Sequence, residues 1–233
     1  MEEKPKQSMG DLGHALVKGL IAGAPYVGPV ASELFSLVLA SPLTRRRDEW
    51  MESIAEALKK LEEKVEGFKI EDLSKNESFI TTILHATQAA IRNHQKEKLI
   101  ALRNAVLNSA LSNAPEEDLQ MLFLNYVDTL TPQHLLILKF FDNPELFIKK
   151  LGVKILDWEE ISPLNVFFYL YPRYSDRQYL FDLLLQDLAD FRELLSEEKI
   201  RNPMKKLAYL RTSHSTYLGK QFIKFIESPI EEQ

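Results

Sequence analysis

Residues 48–66, DEWMESIAEALKKLEEKVE, decide the fold class. Met51, Ile54, Leu58, Leu61 and Val65 recur at spacings of 3, 4, 3 and 4, while Glu52, Glu56, Lys59, Lys60, Glu62, Glu63 and Lys64 hold the other positions. A helix turns once in about 3.6 residues, so this pattern gathers the apolar side chains on one stripe and predicts an amphipathic helix. The stripe covers only two heptads. That is too short to specify a coiled coil, and it leaves open packing on the rest of the chain or self-association through one seam. Gly67 stands where a C-cap is needed.

Downstream the helical signals continue. Ser74 and Glu77 read as a capping box before a helix with Phe79, Ile80, Ile83, Leu84, Thr87 and Ile91 on its buried face. A further helix, from about Gln95 to Leu111, would bury Leu99, Leu102, Val106, Leu107 and Ala110. Asn113 and Pro115, then Glu116, Glu117 and Asp118, open another that runs through Met121, Leu122, Leu124 and Tyr126, with acids at the positive end of its dipole. Residues 45–130 therefore read as a helical bundle, with no internal repeat and no low-complexity tract.

Upstream the composition changes. Five of the eight glycines fall in the first 28 residues, and the stretch GLIAGAPYVGPVASELFSLVLASPL, from Gly19 to Leu43, carries one charge, Glu33. Between Lys18 and Glu33 lie 14 uncharged residues, and between Glu33 and Arg45 another 11. One spanning helix needs roughly 20 apolar residues, so neither half crosses a bilayer alone. Pro25 and Pro29 divide the stretch further, each removing a donor and disfavouring helix at the residue before it. The expected form is a hairpin: a helix ending near Ala24, a PYVGP turn, and a second helix from about Val30 to Leu39. Gly19 and Gly23 stand in the G-x-x-x-G spacing that lets helix backbones approach closely. Three destinations fit such a segment: a soluble core, a membrane entered on activation or oligomerisation, and a permanent partner interface. The residues that would meet a membrane or a second copy are Leu16, Gly19, Leu20, Gly23, Pro25, Tyr26, Pro29, Leu34, Phe35 and Leu37. A collar of Arg45, Arg46 and Arg47 follows, readable as a headgroup site or as a solvated linker before a helix that starts at Asp48. Asp48 and Glu49 cancel much of its charge.

A second unit begins at Thr131 and Pro132, an N-cap and N1 pair. Its expected order is helix 132–141, short helix 144–151, a short strand near 152–156, helix 163–170, a helix 176–195 opened by Ser175 and Gln178, a strand or wing in KKLAYLRTS (205–213), and a last helix 216–226. Helices followed by a small strand pair suggest a winged-helix-like unit. The closing TYLGKQFIKFI resembles the T-x-L-G-x-x-F ending of bacterial winged-helix domains. Lys199, Arg201, Lys205, Lys206, Arg211, Lys220 and Lys224 run without an intervening acid and are interleaved with Tyr209, Tyr217, Phe222 and Phe225, a phosphate-contact pattern. The helix that would enter a major groove instead carries Asp176, Asp182, Asp187 and Asp190, and lacks the Arg, Asn and Gln side chains that read base edges. Sequence-specific recognition is disfavoured, and phosphate contact through Lys205, Lys206, Arg211, Lys220 and Lys224 ranks below a protein-binding role.

Composition agrees with an intracellular protein. In 233 residues, 45% are hydrophobic and 27% charged, which suits one large core or two small ones. A net charge of −5 disfavours nucleic-acid binding through the whole surface. The chain has no cysteine, hence no disulfide, thiolate nucleophile or Cys-ligated zinc, and Glu2 and Glu3 offset Lys4 and Lys6 where a secretory signal would be basic. His14, His85, His94, His134 and His214 lack ligand spacing, and no nucleophile elbow, Walker loop, dinucleotide fingerprint or H-E-x-x-H occurs. The expectation is a non-enzymatic protein with no cofactor, no metal and no small-molecule substrate.

The broken apolar N-terminus (GLIAGAPYVGPVASE), the passage SPLTRRRDEWMESIAEAL, the helical middle and the TYLGKQFIKFI ending together resemble uncharacterised bacterial helical proteins similar in layout to the abortive-infection proteins of phage defence. That resemblance implies a stress or antiviral role in which the apolar segment engages a membrane after triggering. The resulting expectation is an all-α chain in three parts: an apolar hairpin (1–44), a helical bundle (45–130), and a winged-helix-like unit with at most a small β-hairpin (131–233). Its partners would be a protein or a second copy, with a membrane as a further destination. Its place would be the cytoplasm, at most peripheral to the inner face of the membrane. The competing expectation is a soluble adaptor or regulator that binds protein or, less favoured, nucleic acid through its C-terminal unit.

Overall fold

The computed structural model describes residues 29–150, 162–201 and 210–230, with side chains from residue 42 onward. The fold is all-α: 78% is helical, and among the described residues there is no strand. The chain divides into two compact units, one holding residues up to Leu111 with the chain end from Ile230, the other Ser112–Pro229.

In the first unit, helix α1 (Pro29–Lys64) is followed by a 3-10 turn (Ile70–Lys75) and by helices α2 (Glu77–Arg92) and α3 (Lys96–Ser109), and the three helices pack on one another. Helix α1 corrects the expected anatomy. The second leg of the hairpin does not stop near Leu39, and the arginine collar is neither a linker nor a helix start, because one 36-residue helix runs through both. Pro42 removes a single ladder donor, and the straight-chain residues after it, tied by the Arg45–Glu49 pair one turn apart, favour continuing the helix. The first leg and the PYVGP turn, up to residue 28, lie outside the described residues.

The buried stripe of α1 is Trp50, Ile54, Ala57, Leu58 and Leu61, so the expected stripe is offset: Met51 is exposed and Trp50 replaces it. The helix stops at Lys64, earlier than expected, and Gly67, at φ +79°, lies in the following turn, which the Phe68 amide closes on the Val65 carbonyl. The opening of α2 also differs from expectation. Asn76 is the N-cap, its side chain accepting from the Phe79 amide at 3.0 Å, while the Ser74 hydroxyl donates to the Glu71 carbonyl inside the 3-10 turn. Helix α2 buries Phe79, as expected, with Thr82, Ala86, Ala89 and Ala90, while Ile80, Ile83, Thr87 and Ile91 are half-buried and Leu84 is exposed. Ala101 and Ala105 are buried on α3. Such small side chains let helix axes approach closely, and burial rather than size decides which face turns inward.

The second unit holds α4 (Glu117–Thr129), α5 (Pro132–Asp142), α6 (Pro144–Lys150), α7 (Pro163–Leu170), α8 (Pro172–Ser175), α9 (Gln178–Gln186), a π-turn (Asp187–Phe191), α10 (Glu197–Arg201) and α11 (Tyr217–Ile226). Its core is aromatic. Phe140, Phe141, Phe167, Tyr174 and Phe181 form one cluster, and Phe123 meets Phe222 and Phe225 at 5.4 and 5.7 Å between ring centroids in another. The expected helix 176–195 is broken: α9 gives way to the π-turn, and Glu193 follows with φ +53°. Past it, the amides of Leu194 and Leu195 both return to the Leu188 carbonyl.

Residues 194–196 then run antiparallel to 214–216, with the Ser196 amide on the His214 carbonyl and the Thr216 amide on the Leu194 carbonyl, and a single bridge at Leu195 and Ser215. That bridge is all the β structure among the described residues. The expected strand 152–156 lies outside them, as does most of the expected wing, and Leu210 to Ser213 form no strand.

Candidate functional site

The collar of α1 sends its arginines three ways. Arg45 reaches Glu49 at 3.6 Å with both side chains mostly exposed, and Arg47 holds Asp48 at 3.1 Å. Exposed pairs of this kind contribute about 0–1 kcal/mol. Arg46 turns toward α2, its Nη1 donating to the Ile91 carbonyl at 3.4 Å, where the last turn of that helix leaves carbonyls without helical donors.

Below Arg46 a groove of about 200 Å³ opens between the helices of the first unit. Trp50, Ala90, Leu99 and Ile100 supply its apolar wall, and Glu49, Ser53, Asn93, Lys96 and Arg103 join Arg46 as its polar groups. Trp50 is held by its indole N–H, which donates to the Thr87 hydroxyl at 3.0 Å, and that hydroxyl donates in turn to the Ile83 carbonyl at 2.7 Å. Arg103 differs from its neighbours. Its Nε is buried and has no hydrogen-bond partner among the described residues. A buried donor left unpaired costs about 1–3 kcal/mol, more for a charged group. Neither Trp50 nor Arg103 stood out in the sequence as a site residue. The available signals were an arginine, beside Asn104, within the mostly apolar run from Leu99 to Leu107, and one of only two tryptophans.

Among the residues expected at a membrane or self-association site, Leu16, Gly19, Leu20, Gly23, Pro25 and Tyr26 lie outside the described residues. Pro29 opens α1, and Leu34, Phe35 and Leu37 fall in its first three turns. Among the described residues no helix is long and apolar enough to cross a membrane.

The basic run of the second unit is only partly brought together. Lys205 and Lys206 lie outside the described residues. Arg201 is held by Asp182 at 2.7 Å and by Glu197, while Arg211 is 3.9 Å from Glu145. Lys220 and Lys224 occupy exposed positions one turn apart on α11, on the side where Tyr217 is 80% exposed. Phe222 and Phe225 are buried against Phe123, so they serve the core and offer no stacking platform.

One polar cluster inside the second unit escaped the sequence reading. His134 completes a capping box with Thr131: its Nδ1 accepts from the Thr131 amide at 3.1 Å, and the Thr131 hydroxyl accepts from the His134 amide. Its Nε2 faces Asp187 at 3.3 Å, and the same carboxylate oxygen accepts from Arg192 at 3.1 Å. Arg192 also lies over the Tyr126 ring at 5.2 Å. Burial pushes the His134 pKa below its ordinary value, with Asp187 opposing that shift and Arg192 adding to it. A neutral imidazole with Nδ1 as acceptor is the form the capping box needs. His85 and His94 are exposed, and His94 sits in the connection between α2 and α3. Among the described residues no group of His, Asp or Glu could hold a metal ion.

No family model, no curated protein and no solved structure matches the chain.

Proposed function

We propose that the protein is a non-enzymatic effector that works by lodging its apolar N-terminal segment, residues 15–44, in the surface of a membrane. One observation carries this reading: α1 is continuous from Pro29 to Lys64. Its second half is locked into the bundle through Trp50, Ile54, Ala57, Leu58 and Leu61, so residues 29–44, with Glu33 as their single charge, are mounted on the same rod. An amphipathic or apolar helix too short to span can lie in the headgroup region, where binding scales with the apolar area buried. Such an element suits a stress or antiviral effector at the inner face of the membrane, without catalysis. Self-association through the same segment is the related destination, since it too would bury that surface.

The test uses the full chain with neutral and with anionic vesicles, read by co-flotation and by dye release. The wild type is expected to float and to release dye. Leu34→Glu with Leu37→Glu should abolish both and leave helical content and melting unchanged. Loss of the fold in that variant would make the segment a core element, and a wild type that stays inert on both vesicles would overturn the membrane reading.

A second reading has its own observation. The exposed row Tyr217, Lys220 and Lys224 on α11 supports an adaptor whose C-terminal unit, winged-helix-like in its capped last helix, binds protein or, less favoured, nucleic acid. An inert wild type in the vesicle assay, together with lost partner capture by Lys220→Glu with Lys224→Glu, would favour it.

A further inference from the structure

Two guanidinium groups and an ammonium converge on the groove of the first unit, and the two arginines are paired unlike four others of the fold. Arg45, Arg47, Arg192 and Arg201 each hold a carboxylate. Among the described residues, Arg46 has only the long bond to the Ile91 carbonyl, and Arg103 presents a buried Nε with no acceptor. Lys96 lies exposed on the rim. The one acid in the lining, Glu49, is shared with Arg45, so the lining carries a net charge of +2. We propose that this groove is a binding site for a phosphate monoester, presented as a lipid headgroup or as a small soluble phosphate.

Each part of the ligand has a counterpart. A guanidinium is a planar fork of donors that matches phosphate oxygens, and the bonds it makes to them are charge-assisted. A phosphate monoester carries a charge of about −1.5 to −2 at pH 7, which fits the lining better than the single charge of a carboxylate. The organic part would lie on Trp50, Ala90, Leu99 and Ile100. At about 200 Å³ the groove is smaller than sites for drug-sized ligands, about 300–1,000 Å³, so it takes the phosphate and the few atoms next to it. The inference stands whether or not residues 15–44 meet a membrane.

The test is calorimetric titration of the full chain with three probes in solution: a short-chain phosphatidic acid below its micelle concentration, adenosine monophosphate, and short-chain phosphatidylcholine as the phosphodiester control. Binding of either monoester with no binding of the control supports the site. Phosphatidic acid alone would identify a lipid headgroup, adenosine monophosphate alone a soluble phosphate, and both a site that reads the phosphate itself. Arg103→Gln should weaken binding at least about tenfold, equal to about 1.4 kcal/mol, and the exposed Lys96→Gln should weaken it in the same direction without touching the fold. Lys220→Gln, remote from the groove, should bind like the wild type. Leu34→Glu with Leu37→Glu should also bind normally, which separates failure of this site from failure of the membrane reading. Absence of binding by both monoesters, equal binding of phosphatidylcholine, or unchanged affinity in both Arg103→Gln and Lys96→Gln would overturn the proposal.

Discussion

Single residues set hard limits on this fold, and Gly219 is the tightest. A Cβ built there would stand 2.0 Å from the Leu194 carbonyl oxygen, the atom that also accepts from the Thr216 amide. Backbone cannot retreat as a flexible side chain can, so Gly219→Ala should cost about 3 kcal/mol, read as a lowered melting temperature. The T-x-L-G-x-x-F ending thereby acquires a physical content: Thr216 caps α11, Gly219 admits the 194 loop, and Phe222 fills the core. His134 sets a chemical limit. Its folded pKa is depressed, whereas unfolded it takes up a proton near pH 6.5. Between those two values the unfolded chain holds the extra proton, so the stability His134 contributes is present above about pH 6.5 and is lost as pH falls through the folded pKa. Melting temperature should drop on acidification from pH 7, and His134→Gln, which can still close a capping box, should show a shallower drop. An identical slope in the variant would remove His134 from this account.

At the scale of elements, some caps were legible and faces were not: Thr131 with Pro132 opens its helix as expected, whereas Asn76 takes the place expected of Ser74, and the helix expected to open at Ser175 begins at Gln178 without a side-chain cap. Ser162 with Pro163 and Thr216 also cap helices in the structure, as the chemistry of a local exchange between a side chain and amides two or three residues away allows, although neither stood out in the sequence as a cap. The expected stripe of α1 missed Trp50, and that of α2 favoured Leu84 over Ala86, since periodicity reports that a face exists without stating which neighbour will cover it. Helix α1 carries the element-scale prediction. Pro42 is exposed and leaves the Val38 carbonyl without its helical donor. Pro42→Ala should restore that bond and stabilise the local helix by up to about 3 kcal/mol, seen as slower amide hydrogen exchange across residues 42–46. Faster or unchanged exchange would show that the turn around Pro42 is already held by other contacts.

Across the molecule, the two units draw on different physics. The first joins helices through small residues, Ala86, Ala89, Ala90, Ala101 and Ala105, and keeps a charged groove on its side; the second is knit by interlocking aromatic rings. The all-α class, the order of most helices and the apolar character of the N-terminal segment are written in local pattern, because spacing, caps and charge act within one or two turns and can be read from the order of residues alone. The broken helix before Glu193 and the gathering of Arg46 and Arg103 on one groove arise only when the chain packs. They depend on residues far apart in the chain whose packing outweighs local preference, and no window of sequence contains both members of such a pair.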